Sequence, residues 1–177
     1  TWGSREPFEV IWRAAFHSVS AFCNAGFSLG DDSLKAYSTD IPVNLIICGL
    51  VIVGGLGFPV LFDISSRLWN RQSLWDRLHM HSKLMVLGTA SLLAFGAVSF
   101  WVFESDGVLA GQPLSKRILF GLFHTTTCRT AGFHTVEYRS LSSATLFLTI
   151  LLMAIGAGPG STGGGFKVST FMTLLTR

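Results

Sequence analysis

Two short stretches hold the residues with the clearest chemical purpose, Phe16–Leu29 (FHSVSAFCNAGFSL) and Phe123–Val136 (FHTTTCRTAGFHTV). Each opens on Phe-His, passes through small hydroxyl residues and closes on Ala-Gly-Phe, within Asn24-Ala25-Gly26-Phe27 and Thr130-Ala131-Gly132-Phe133. The two glycines lie 106 positions apart, and the first copy carries one extra residue ahead of its tetrapeptide. A repeat at that distance signals a duplicated structural unit. Bare backbone centred on glycine can offer a row of carbonyl oxygens that replaces the hydration shell of a cation. Glycine suits the task because the carbonyls must turn to one axis and some residues need positive φ.

Other groupings carry less. His17 and His124 recur with Cys23 and Cys128, but they sit on a helix and its end, and packing explains them more simply than a transition-metal site. Gly158-Pro159-Gly160-Ser161-Thr162-Gly163 satisfies GxGxxG, and Gly160, Gly165 and Lys167 approach a phosphate loop with Phe166 where lysine should stand. The apolar run before it is too long for a βαβ strand, and no acidic residue follows it. A glycine-rich helix contact without gating is the plainer alternative for this stretch. No Ser/His/Asp set or carboxylate pair converges anywhere, so an enzyme is not expected.

The elements that position these residues follow from composition. Of the 177 residues, 49% are apolar and only 13% are charged. A soluble domain carries about 25% charged residues, so the blocks of apolar sequence point to a membrane protein. A formal charge of +3 without a Lys/Arg run argues against nucleic acid. Three cysteines, Cys23, Cys48 and Cys128, make an odd number without CxxC and read as free thiols. Lacking a signal peptide and ending inside an apolar segment, the chain is expected to be a piece of something longer.

Val10–Phe22 reads as a helix of about 13 residues, roughly 20 Å, too short for a hydrocarbon core of about 30 Å. Asn24–Phe27 breaks it, and a polar stretch with Asp31, Asp32 and Asp40 follows. Ile41–Phe62 is long enough to span, with a kink expected at Pro59. Asp63–Lys83 is the basic connection, with Arg67, Arg71, Arg77 and Lys83 and the interfacial Trp69 and Trp75. Asp63 and Arg67 are expected to form a solvated helix pair. Leu84–Phe103 is a second span, Lys116–Thr127 another short helix, and Leu141–Leu175 an apolar segment interrupted at Gly156–Gly165.

The positive-inside rule sets Asp63–Lys83 in the cytoplasm and the acidic loops outside. Both short helices then enter from outside and return there. Non-helical backbone at that depth survives only where it is buried in protein or lines a watery path. The helices ahead of it would aim their negative ends at the pore, which favours cations. Without a ring of carboxylates, monovalent cations are the natural cargo. Phe27 and Phe133 are expected to wedge the segments against neighbouring helices. Arg129 should turn from the axis towards carbonyls or a carboxylate, with Glu137 near in the chain. Lys167 either binds loop carbonyls, sets an electrostatic barrier or snorkels to the surface.

SAFCNAGFSL, GGLGFPVLFDI, TCRTAGFHTVEY and GAGPGSTGGGFKVSTF, in this order, resemble the Trk/Ktr/HKT superfamily of potassium transporters, most of all the membrane subunit of bacterial Ktr-type systems. The resemblance covers nearly the whole chain. It implies an all-α membrane protein of repeated helix–pore loop–helix units around a potassium-channel-like pore, pseudo-fourfold in the full-length protein. Residues 1–63 would be the pore helix, filter segment and second transmembrane helix of the second unit, and 64–83 a cytoplasmic connection. Residues 84–177 would be the third unit: a transmembrane helix at 84–103, pore helix and filter at 116–135, and a broken transmembrane helix at 141–177. Backbone carbonyls of Asn24, Ala25, Gly26, Thr130, Ala131 and Gly132 would line the filter. Gly156, Ala157, Gly158, Pro159, Gly160, Ser161, Thr162, Gly163, Gly164 and Gly165 would form the intramembrane loop that gates flow. The resemblance further implies K+ as the transported ion with Na+ open as an activator, a homodimer in membrane lipid and a cytoplasmic nucleotide-binding regulatory subunit. A sodium or mixed-cation transporter of the same fold, and a structural membrane subunit without transport, are the alternatives.

Overall fold

The computed structural model describes residues 6–67 and 74–175, so Trp69 and Arg71 lie outside the described residues. The first helix, α1 (Pro7–Phe22), begins three residues ahead of the expected start, at Pro7, whose fixed φ and missing N–H suit a first position. Helix α2 (Ile41–Leu56) is capped by Asp40, whose carboxylate accepts from the Val43 amide at 3.2 Å. Its 16 residues reach about 24 Å. Gly57, at φ +91°, ends it, and α3 (Phe58–Arg67) leaves at 100°. The expected single span to Phe62 is thus broken, and the break falls at Gly57 rather than Pro59. Pro59 stands in the first turn of α3, where its missing N–H costs no helical bond.

A short α4 (Leu74–Arg77) leads to α5 (Met80–Phe103), 24 residues long and apolar enough to cross a bilayer by itself. It starts four residues ahead of the expected Leu84. Helix α6 (Leu114–Cys128) follows, then α7 (Ser143–Ala154), capped by the Ser142 hydroxyl on the Thr145 amide, and α8 (Val168–Leu175). Among the described residues the only β-type pairing is an isolated bridge between Ile155 and Phe166.

Helix α2 lies against both α1 and α6, while α5 packs on α6, α7 and α8. Small residues permit these approaches. A Cβ on Gly54 would collide with the Phe22 carbonyl, and one on Gly96 with the Thr125 side chain. Ala21, Ile47, Val51, Phe123, Ala131 and Phe133 form the central cluster, with Val60, Met85, Leu92 and Val168 in a second. Large apolar side chains also face outward, among them Leu87, Phe95, Val98 and Val102 on α5 and Phe147, Ile150 and Leu151 on α7. On α5, which is long enough to cross a bilayer, such an outward apolar face suits hydrocarbon.

One expectation fails at the α3–α5 junction. Asp63 is buried rather than solvated. Its carboxylate accepts from the Ser82 hydroxyl at 2.6 Å, from Arg67 Nε at 2.7 Å and from the His79 amide at 2.9 Å, with His79 Nδ1 at 2.8 Å. The spacing of Asp63 and Arg67 shows their shared helix face, but not that the chain folds back to lay His79 and Ser82 on it.

Candidate functional site

The ends of α1 and α6 bring the two Ala-Gly-Phe segments together. Each has the same backbone alternation: Asn24 at φ +50° and Gly26 at +70°, Thr130 at +69° and Gly132 at +84°. The glycines approach one another. A Cβ on Gly26 would stand 2.6 Å from the Ala131 carbonyl oxygen and 2.9 Å from Gly132 Cα, while one on Gly132 would stand 3.2 Å from Gly26 Cα. Left-handed backbone and close approach therefore both require glycine here.

A hydroxyl on each entering helix holds the carbonyl just past the glycine. Ser20 Oγ donates to the Phe27 carbonyl at 2.8 Å, and Thr127 Oγ1 donates to the Phe133 carbonyl at 2.5 Å. These two carbonyls turn back into the protein. Sequence reading passed over Ser20 and Thr127, though a signal existed: each stands four residues after the opening phenylalanine of its repeat. Phe133 is fully buried in the central cluster, as expected of a wedge, but Phe27 is 69% exposed among the described residues. Helix α2 supplies the wall behind Phe133, and no described element stands in that place for Phe27.

The stretch between α7 and α8 folds on itself, with the Gly156 amide on the Phe166 carbonyl at 2.9 Å and the Ala157 amide on the Gly164 carbonyl at 3.1 Å. It seats on the break in α2. The Gly158 amide donates to the Gly55 carbonyl at 2.9 Å, the Thr162 amide to the Gly54 carbonyl at 3.3 Å, and the Phe58 amide to the Gly160 carbonyl at 3.1 Å. Carbonyls at a helix end lack intrahelical donors, so each interruption satisfies the other. Positive φ at Gly160 and Gly165 allows the turns, and Ser161 Oγ closes one by donating to the Gly158 carbonyl at 2.6 Å.

The same loop reaches both glycine segments. Arg129, 6% exposed, donates from Nη2 to the Gly156 carbonyl at 3.3 Å. It thus turns to loop carbonyls and is too buried to snorkel, while Glu137 pairs with Lys35 at 3.0 Å. The Gly164 amide donates to Thr130 Oγ1 at 3.2 Å, and Lys167 Nζ to the Gly163 carbonyl at 3.0 Å. Asn24 Nδ2 donates to Thr162 Oγ1 at 2.7 Å, which in turn donates to the Phe22 carbonyl at 3.0 Å. That side-chain link carries no spacing signature, because its partners lie 138 residues apart.

The remaining candidates are engaged separately. His17 Nδ1 lies 2.7 Å from the Arg13 carbonyl oxygen, and His124 Nε2 lies 3.0 Å from Thr149 Oγ1. Cys48 and Cys128 are buried and Cys23 is exposed. Among the described residues no His/Cys/Asp/Glu group of three or more converges on a metal position. Chemically, the arrangement offers paired backbone segments with a peptide loop anchored on both.

The family model described as cation transport protein, TrkH, matches residues 4–177. The Ktr system potassium uptake protein B of Bacillus subtilis is 40% identical over 168 residues, covering 94% of this chain and 37% of the relative. Its counterpart in Vibrio alginolyticus is 42% identical over 163 residues, covering 91% and 35%. The potassium/sodium uptake protein NtpJ of Enterococcus hirae is 41% identical over 166 residues, covering 93% and 36%. The crystal structure of the potassium transporter TrkH from Vibrio parahaemolyticus superposes with a TM-score of 0.72 at 25% identity, covering 95% of this chain and 36% of that one. The chain spans just over a third of the length of these relatives.

Proposed function

The chain belongs to the TrkH family of cation transport proteins, and we propose that it supplies two of four walls of a potassium uptake pore in the cell membrane. The observation that carries this reading is the matched pair of glycine segments, alike in backbone and in contact at Gly26 and Gly132. Carbonyls of Asn24, Ala25, Gly26, Thr130, Ala131 and Gly132 act as filter ligands for a dehydrated cation. Residues 156–165 gate the path below them, and Arg129 and Lys167 hold that gate by its carbonyls. Residues 1–63 then complete one unit, 64–83 connect it in the cytoplasm, and 84–177 form the next. Two further units, a second copy of the protein and a cytoplasmic nucleotide-binding subunit complete the transporter, in keeping with the length of the relatives and their naming as parts of a Ktr system.

Potassium-dependent growth of an uptake-deficient cell expressing the complete protein, with Rb+ flux into proteoliposomes, tests the reading. Rescue and flux are expected. Correctly inserted protein without either would leave only a structural subunit. The name of the Enterococcus hirae relative favours one variant, in which Na+ also permeates. Flux driven by Na+ alone would establish permeation, and K+ flux raised by added Na+ would establish activation. Deleting residues 160–163 is expected to raise flux, and unchanged flux would remove the gating role.

A further inference from the structure

Asn24 and Thr130 occupy the same place in the two repeats, and both adopt left-handed backbone without being glycine. Left-handed backbone is strained for threonine and tolerated better by asparagine, so Thr130 above all must be held by its surroundings. In both cases the side chain ends on the loop. Thr130 Oγ1 receives the Gly164 amide at 3.2 Å, and Asn24 Nδ2 donates to Thr162 Oγ1 at 2.7 Å. The orientation of the Asn24 amide is settled by its neighbours. Thr162 uses its proton on the Phe22 carbonyl at 3.0 Å, so it accepts from asparagine, and the second neighbour at 3.5 Å is the Val51 carbonyl. Asn24 is 8% exposed and its Oδ1 has no hydrogen-bond partner among the described residues. Withdrawing the loop would leave the amide with little but the long contact to Val51. Asn24 would then lose the partner that fixes its side chain, and its left-handed backbone would be free to rearrange.

We propose that Thr162 is a positioning residue for ion selection: its hydroxyl clasps Asn24, so that the loop cannot leave its seat without altering the filter segment that Asn24 opens. Thr162 touches no ion in this scheme and acts through Asn24. The inference rests on the reading of residues 156–165 as the gate, and it adds that gate and filter move as one device rather than in series.

The test is Rb+ influx by the complete four-unit protein in proteoliposomes, scored as half-saturation, maximal rate and inhibition by Na+. Thr162→Val keeps the side-chain shape and removes the hydroxyl. It should raise half-saturation and weaken Rb+ over Na+ preference about fivefold each, the size of one net hydrogen bond. Thr162→Ser should restore both, and Thr162→Ala repeats the removal if the valine variant does not reach the membrane. A role in packing alone would change the amount of folded protein or the maximal rate and leave half-saturation and preference at their starting values. That result, or failure of serine to restore them, overturns the clasp. Deletion of residues 160–163 separates the two ideas. A raised rate beside silent Thr162 variants removes only the clasp, whereas a deletion without effect removes the gate as well.

Discussion

Gly26 and Gly132 share a left-handed backbone but differ in the room around them, and that difference makes a sharp prediction. Any side chain at φ near +70° or +84° is strained, by about 1–2 kcal/mol. At Gly26 a Cβ would also stand 2.6 Å from the Ala131 carbonyl oxygen, a backbone atom that can yield only if the segment moves. At Gly132 the nearest atom is 3.2 Å away, which a shift of a few tenths of an ångström would relieve. Gly26→Ser should therefore lower K+ over Na+ discrimination more than Gly132→Ser, about tenfold where one carbonyl position is lost. Competition of Na+ against Rb+ influx measures both. Equal losses would mean that strain dominates over closeness, and intact selectivity in both would show that the filter lies elsewhere. The glycines were legible in sequence because an absent side chain is itself a residue-level sign, and duplication repeated it. Ser20 and Thr127 left a signal only in their matched place in the repeat, and Thr162 was legible as a loop residue but not as the clasp on Asn24, because a hydroxyl among many names no partner.

Helices α5 and α7 are joined by one buried carboxylate. Glu104 caps the end of α5, and its Oε1 accepts from the Ser142 amide at 2.8 Å and from Thr145 Oγ1 at 2.6 Å, at the positive start of α7. Burial works to raise the Glu104 pKa, but donation from Thr145, Ser142 and Val108 outweighs it and holds the group below its ordinary value. A depressed carboxylate contributes stability that is present above its unfolded pKa and lost as pH falls through the folded one. Thermal midpoints should therefore be flat near neutral pH and fall under acid conditions below the ordinary glutamate range. Glu104→Gln puts a donor where Oε1 or Oε2 accepts. It should cost about 2 kcal/mol at neutral pH and flatten the acid dependence, as read from melting in detergent across pH. A parental acid profile in this variant would remove Glu104 as its source. At this scale the sequence was legible in part. Length and apolarity marked α5 and the apolar run marked α2 from Ile41, but α1 was expected from Val10 and opens at Pro7. The break at Gly57 was misplaced to Pro59 because proline is a breaker only inside a helix, not in its first turn. The docking of residues 156–165 on α2 stayed hidden, since backbone amides on Gly54 and Gly55 carbonyls depend on no side chain.

Viewed whole, the chain carries apolar residues outward as well as inward, and its charges at the two ends of that apolar belt argue for one way of standing in a bilayer. Arg67 at the end of α3, Arg77 in α4 and Lys83 in the first turn of α5 gather at one end, whereas Asp31, Asp32 and Asp106 lie in the loops after α1 and α5. The loops that follow the two glycine segments are tied into one surface. The Leu34 amide donates to the His134 carbonyl at 3.2 Å, the His134 amide to Ser33 Oγ at 3.2 Å, and Lys35 lies 3.0 Å from Glu137. Whatever side one loop faces, the other faces too, which is the geometry that two re-entrant segments from one side require. Under the positive-inside rule we propose that the α3–α5 connection is cytoplasmic and this tied surface outside. The thiols allow a direct test, because within this chain Cys48 and Cys128 are buried and Cys23 alone is exposed, so that a quiet background needs Cys23 and any thiol elsewhere in the complete protein replaced by serine. In that background, Ser105→Cys in the exposed loop after α5 should react with a membrane-impermeant maleimide on intact cells. Trp75→Cys, at a position 43% exposed in α4, should react only after permeabilisation. Labelling of both from the same side would break the topology, because α5, the helix between them, is long enough to cross about 30 Å of hydrocarbon. Reversed labelling would keep the fold and its crossing but turn the glycine segments to the cytoplasm, and uptake would then have to begin at the gate instead of the filter.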